Sequence, residues 1–319
     1  MADTLYFVIP CYKEEEVLPL TAPVFVRKLR ALIAAGLVSE NSRVLFVNDG
    51  SPDRTWETIC AQHSADPLAI GIDLEKNSGE KNALLAGMYY AAERADFVIT
   101  MDCDLQDDIE AADEMIRRYY EGNDLVLGVR SERGDDPLSQ RFFSAAFYFM
   151  MRVMRTGLVS QHSNFRLMSR RAVEALHAYD AVPYFLPAAA STLPFPKTTV
   201  SHARAARPAG ESKYNYKSLT RLAVDAVLVH SALLPRLAIA GACLCAAAFI
   251  AGAILLLVFG LRGQGFSGWA FVLTLGGALG ALGFAVMGAW LARLGLYKTY
   301  AQKGGISRVR AETGDAGKR

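Results

Sequence analysis

The stretch Phe97-Val98-Ile99-Thr100-Met101-Asp102-Cys103-Asp104-Leu105-Gln106 decides the reading of the fold. Its first half is a short apolar run rich in β-branched residues, the signature of a buried strand. Two carboxylates follow at i and i+2, a spacing that points both the same way as the chain leaves a sheet. That edge is where open α/β sheets hold their ligands. Hard oxygen donors of this kind suit Mg²⁺ or Mn²⁺, ions that bridge protein carboxylates to nucleotide phosphates. An acidic pair after a strand also commonly caps the next helix, so the neighbouring segments must decide.

Working outward, Leu5-Tyr6-Phe7-Val8-Ile9 reads as a strand ending at Pro10, and Val44-Leu45-Phe46-Val47 as a second. The second runs into Asn48-Asp49-Gly50-Ser51, a strong turn signal. Leu68 to Leu74 and Leu125 to Val129 complete the strands, with helices expected at 14–33, 54–63, 79–94 and 108–121. Strand–helix alternation with continuously apolar strands predicts a mostly parallel α/β sheet covered by helices on both faces. In such a sheet the exits after Ile9, Val47 and Met101 converge on one rim. No GxGxxG follows the first strand and no GxxxxGK[ST] occurs anywhere, so a phosphate ligand there would depend on a metal and arginines rather than a glycine cradle.

The chain has 319 residues with 34 Lys and Arg against 32 Asp and Glu, a balance that favours no nucleic-acid partner. The N-terminus lacks a basic segment followed by an apolar core, so no secretory signal is read. Five cysteines form no CxxC pair, as expected of small buried side chains in a reducing compartment.

Hydrophobicity is distributed unevenly. Residues 138–155 interleave aromatic rings with arginines, and read equally as an interfacial helix or a buried core helix. A second amphipathic stretch runs from Tyr216 to His230. Two apolar segments, 234–261 and 269–292, are each long enough to cross a bilayer. Gly276 and Gly280 stand at GxxxG spacing, which permits close helix contact or self-association into a homo-oligomer. The connector has only Arg262, whereas the flanks carry Arg221, Arg236, Arg293, Lys298, Lys303, Arg308 and Arg310. The positive-inside rule then places both termini and the large N-terminal part in the cytosol. The polar tail after 303 is expected to be disordered. The resulting division is 1–137 for donor binding, 138–233 for the acceptor half, 234–292 for a transmembrane hairpin and 293–319 for a basic tail.

Taken in order, Val8-Ile9-Pro10-Cys11-Tyr12-Lys13-Glu14-Glu15, Val47-Asn48-Asp49-Gly50-Ser51-Pro52-Asp53, Asn77-Ser78-Gly79-Glu80-Lys81-Asn82-Ala83 and Met101-Asp102-Cys103-Asp104-Leu105-Gln106 resemble the family-2 glycosyltransferases of GT-A fold. Gly128-Val129-Arg130, Asn164-Phe165-Arg166-Leu167-Met168 and Gly210-Glu211-Ser212-Lys213-Tyr214 narrow the resemblance to those acting on polyprenyl phosphate. The resemblance implies that Pro10, Tyr12 and Glu14 contact the nucleoside and that Asp49 hydrogen-bonds the base. Asp102, Asp104 and Gln106 would surround Mg²⁺ or Mn²⁺. Arg130, Arg141, Ser212 and Lys213 would meet phosphates of donor or acceptor, and Asp104, Arg130, Asn164 and Arg166 would form the reacting centre. The implied partners are a nucleotide-diphosphate sugar, polyprenyl phosphate and the lipid bilayer of a bacterial inner membrane.

Two residues depart from the family pattern. Asn48 replaces the first Asp of the commoner Asp-Asp-Gly-Ser form, while Asp49 keeps the acceptor. Asn164 stands where many relatives have Asp before Phe-Arg-Leu, and an amide is not a general base. A phosphate monoester, with its second pKa of about 6, is largely a dianion at neutral pH and needs charge screening more than a base. The sequence therefore predicts inverting transfer of a sugar, from a donor leaning toward UDP, onto undecaprenyl phosphate. Two alternatives stand behind it. One is a processive polysaccharide synthase, disfavoured because Trp56, Trp269 and Trp290 lie outside any Gln-x-x-Arg-Trp context. The other is a silent nucleotide-sugar-binding scaffold, raised by Asn164.

Overall fold

The computed structural model describes residues 2–130, 162–178, 193–203, 233–262, 268–303 and 307–314. Strands β1 (Leu5–Cys11), β2 (Arg43–Asn48), β3 (Ala69–Leu74) and β4 (Phe97–Thr100) alternate with α1 (Leu18–Ala34), α2 (Thr55–Ala65) and α3 (Glu80–Ala92). They are followed by α4 (Ala111–Tyr120), β5 (Leu125–Arg130), β6 (His162–Ser169), α5 (Arg170–Ala178) and β7 (Lys197–His202). Two long helices, α6 (Leu233–Leu261) and α7 (Gly268–Lys303), precede a last strand, β8 (Val309–Glu312). The strands form one sheet in the order β7-β5-β6-β4-β1-β2-β3-β8.

β1, β2, β3 and β4 pair in parallel, as do β5 and β7. Successive side chains of the central parallel strands enter opposite cores, which is why β1 to β4 read as largely apolar runs. Leu5, Phe7 and Ile9 join Phe25, Phe46 and Phe97 on one face, whereas Tyr6 and Val8 join Leu45, Leu84 and Met88 on the other. This is the mostly parallel, doubly covered GT-A arrangement expected from the sequence.

Three strands escaped the sequence reading. β6 runs antiparallel between β4 and β5, and its pattern is interrupted by Arg166, which is polar yet fully buried. β7 is mostly polar, with only Val200 and His202 buried. β8 corrects the disorder expected after 303, because the chain returns to pair antiparallel with β3 and forms the sheet edge there. Arg310 Nε donates to Asp73 Oδ2 at 2.9 Å, and Tyr90 donates its hydroxyl proton to Glu312 at 2.8 Å. The helix expected from residue 14 begins at Leu18, with Pro19 in its first turn, where no backbone donor is needed.

α6 and α7 form a compact unit separate from the sheet. Leu237–Leu261 and Gly268–Leu291 are long and apolar enough to cross a membrane, and few of their side chains are buried. A lipid solvent rather than a protein core suits such a surface. The glycine contact differs from the expected Gly276/Gly280 pair. A Cβ on Gly277 would meet the Phe249 backbone nitrogen at 2.5 Å and one on Gly280 would meet Cys245 Sγ at 2.7 Å, while Gly276 faces open space. Gly277 and Gly280 therefore bring the two helices together, three residues apart on one face.

Candidate active site

The parallel register aligns the strand exits on one rim. Cys11 pairs with Asn48, and Thr100 pairs with Val8, so the segments after β1, β2 and β4 leave side by side. Asp49 N donates to Cys11 O at 2.9 Å, Lys13 N to Ser51 Oγ at 3.2 Å and Glu14 N to Thr55 Oγ1 at 2.9 Å. These bonds tie the Pro10–Tyr12–Glu14 exit to the Asp49 turn. Lys13 and Leu105 both adopt left-handed backbone, at φ 56° and 52°. Non-glycine residues rarely do so, and here each re-aims the chain beside the rim.

The Asp49 carboxylate is buried and accepts from Ser78 N at 2.7 Å, Ser78 Oγ at 3.0 Å and Gly79 N at 2.9 Å. Burial raises its pKa above the ordinary carboxylate value, and these donors partly offset the rise. It thus braces the loop that leads into α3. Gly50 has φ +57° and a Cβ there would meet the Lys76 carbonyl carbon at 2.5 Å, so the Asn-Asp-Gly-Ser turn requires its glycine. Asn48 donates to Asp73 Oδ1 at 2.7 Å. An Asp in its place would set two buried carboxylates against each other.

Around β4 the polar groups form a network. Asn164, in the part of β6 that faces the rim, donates from Nδ2 to Asp102 Oδ1 at 3.1 Å and to Glu80 Oε1 at 2.6 Å. Its Oδ1 accepts from an Arg166 terminal nitrogen at 3.1 Å. Burial, then the charge of Glu80, raises the Asp102 pKa to about 7, with Asp107 and Asp104 adding to the rise and the Asn164 bond opposing it. Burial lowers the Arg166 pKa to about 10, against the pull of Asp102 and Glu80, so it remains a cation at neutral pH. Asp104 is buried and accepts from Gln106 N at 3.2 Å.

A second pair stands beside these acids. Buried Asp107 accepts from Arg130 Nε at 2.9 Å, and His202 Nδ1 lies 3.8 Å from the same oxygen. Burial works against the Arg130 charge, but Asp107, Asp102 and Asp104 more than compensate and hold its pKa above the ordinary value. With Nε fixed, the two terminal nitrogens of Arg130 make no hydrogen bond to any described residue, and the side chain is 29% exposed. A guanidinium held this way presents its fork to an anion.

The structure therefore brings Asp102, Asp104, Gln106, Arg130, Asn164 and Arg166 to one rim, with Pro10, Tyr12, Glu14 and Asp49 on the adjacent exits. Arg141, Ser212 and Lys213, with the 138–155 and 216–230 stretches, lie outside the described residues. Two members were not singled out from sequence: Asp107, one residue past the Asp-Cys-Asp-Leu-Gln run, and Glu80, read only as part of a motif. Among the described residues no three acidic, His or Cys side chains converge as a ready-made metal cage. The hard oxygens of Asp102 and Asp104 fit instead a cation shared with substrate phosphates, the usual arrangement for Mg²⁺.

Comparison with known proteins defines the class. Residues 6–176 match the model of glycosyl transferase family 2. An uncharacterized glycosyltransferase of Bacillus subtilis (strain 168) is 36% identical over 227 residues, covering 71% of this chain and 67% of that protein. A prophage bactoprenol glucosyl transferase homolog of Escherichia coli (strain K12) is 30% identical over 308 residues, covering 95% of this chain and 98% of the relative. Among solved structures, a mannosyltransferase from Pyrobaculum calidifontis in complex with GDP-Man and Mn²⁺ is similar at 14% identity and a TM-score of 0.46, over 96% of this chain and 84% of that one. The chain belongs to glycosyl transferase family 2.

Proposed function

We propose that the protein transfers a hexose from a UDP-sugar to polyprenyl phosphate, with inversion, at the cytoplasmic face of a bacterial inner membrane. The observation that carries this reading is Arg130, whose guanidinium is anchored by a buried carboxylate through Nε and lies near enough to Asp102 and Asp104 to feel their charge. Such a fork serves a phosphate, and the reaction brings together two phosphorylated molecules. The bactoprenol glucosyl transferase relatives, matched along nearly the whole chain, support the lipid acceptor. The two apolar helices support a membrane location, and the cationic flanks on either side of them support cytosolic termini.

In this reading residues 1–137 hold the donor, 138–233 supply the acceptor half, and 234–292 anchor the enzyme. Pro10, Tyr12, Glu14 and Asp49 line the nucleoside side. An oxygen of the acceptor phosphate attacks the anomeric carbon from the face opposite the diphosphate. The bond from that carbon to the diphosphate oxygen breaks, and its electron pair leaves with the nucleoside diphosphate. Asp102, Asp104 and Gln106 would hold Mg²⁺ or Mn²⁺, which would supply Lewis-acid stabilisation of the leaving diphosphate. Arg130 and Arg166, joined by Arg141, Ser212 and Lys213, counter repulsion between the two anions, and their preset positions cost no reorganisation. No proton has to be removed from the acceptor, which fits an amide at 164.

The test is direct. Purified protein is incubated with labelled UDP-sugars, GDP-sugars, undecaprenyl phosphate and Mn²⁺, and the organic phase is analysed by mass. A monosaccharide linked through one phosphate to the polyprenol is expected. Label in a water-soluble polymer, or no transfer with any donor, would overturn the reading.

A further inference from the structure

Asn164 sits at a position where three charged groups meet. Its amide nitrogen serves two carboxylates, Glu80 at 2.6 Å and Asp102 at 3.1 Å, and its amide oxygen serves the fully buried guanidinium of Arg166. The charges fix which way the amide points, because carboxylates require donors and a guanidinium requires an acceptor. An Asp at 164 would satisfy Arg166 but would confront both acids. An amide is thus what this set of neighbours demands.

Glu80 is the unexpected member. It is the first residue of α3, on an element far in sequence from β6, and its charge is the foremost electrostatic influence on Asp102. We infer that Glu80 is a positioning residue which, through the Asn164 amide, supplies beside Asp102 the negative charge that position 164 does not carry, and so sets the cation affinity of the rim. The inference rests on the donor-and-cation reading above. Glu80 and Asn164 then form an exchangeable pair. The competing role, a favourable charge at a helix N-terminus, predicts only a small stabilising effect and no influence on metal binding.

A charge-swap cycle on the full-length protein separates these. Glu80→Gln, Asn164→Asp and the double variant are compared with wild type by Mn²⁺ titration in the presence of UDP, followed by electron paramagnetic resonance, and by melting without metal. Glu80→Gln keeps an oxygen facing Asn164 and removes the charge, so Mn²⁺ affinity should fall about tenfold, the lower end for groups that orient metal ligands. Asn164→Asp should lower the metal-free Tm by several degrees through carboxylate repulsion. In the double variant the new amide at position 80 donates to the new carboxylate at position 164, which still faces Asp102, so affinity should return to near wild type and Tm should recover in part. Wild-type Mn²⁺ affinity in Glu80→Gln, or a double variant as impaired as the singles combined, overturns the inference. Wild-type protein that binds no Mn²⁺ with UDP instead refutes the donor-and-cation reading, and the metal-free melting cycle still decides whether the two residues act as a pair.

Discussion

The Asp107–Arg130 contact offers the sharpest quantitative test of how the rim handles phosphate. Asp107→Asn retains an oxygen that can accept from Arg130 Nε, now 2.9 Å away, but removes a charge that is almost wholly buried. At close contact and an effective dielectric of about 20, a unit pair is worth about 4 kcal/mol. Arg130 is 29% exposed and the neutral acceptor survives, so roughly a third to a half of that should be lost. A loss of about 1–2 kcal/mol corresponds to roughly 5–30-fold in kcat/KM for the nucleotide sugar. Arg130→Lys keeps the charge but loses both the Nε anchor and the fork, and should cost a similar factor. If Asp107 acts through Arg130, the double variant will be little worse than either single one. Initial rates of nucleoside diphosphate release supply kcat and KM, with melting curves run in parallel. Asp107→Asn within twofold of wild type, or a double variant whose loss is the product of the two single losses, refutes this account.

Three further outcomes are expected. Asp104→Asn should abolish sugar transfer while leaving the circular dichroism spectrum and Tm unchanged, and a variant that still turns over removes Asp104 from the metal site. Asp102, raised to about 7, holds a proton in the metal-free fold that the unfolded chain has released above its ordinary value of 3.8. Metal-free stability in urea should therefore fall as pH rises from about 4 to 7 and then level off, while Mn²⁺ affinity rises through about 7 as the cation displaces that proton. Flat profiles in both would show that Asp102 is an ordinary carboxylate. Arg310→Ala leaves the buried Asp73 carboxylate with the Asn48 amide but without its guanidinium, so Tm should drop by an amount corresponding to about 1–2 kcal/mol. An unchanged Tm would mean that β8 adds nothing to the sheet.

The parallel half of the sheet was legible because its physics is repetitive. Strands buried on both faces are apolar along most of their length, as β1 to β4 are apart from Arg43, Asn48, Asp73 and Thr100, so these strands and the rim they create follow from the sequence. β6, β7 and β8 were not legible, for three reasons. β6 carries Arg166, whose burial is made possible by Asn164 and is invisible to a hydrophobicity pattern. β7 lies at a sheet edge and buries few side chains. β8 joins the sheet only after the chain has made a long helical excursion, and a short polar tail gives no local sign of its partner. The same limit applied within the site. Asp102, Asp104 and Gln106 were readable from spacing, whereas Asp107 and Glu80 became functional candidates only once their neighbours, Arg130 and Asn164, were placed in space.

Those placements give the two family departures a common physical cause. Asn48 faces Asp73, and Asn164 faces Glu80 and Asp102. In each case the amide stands where a second chain segment delivers a carboxylate, and an acid there would have brought like charges together in a poorly hydrated site. The charge of the rim is set by the whole constellation, not by one motif position. It follows that Asn164→Asp alone should harm this protein.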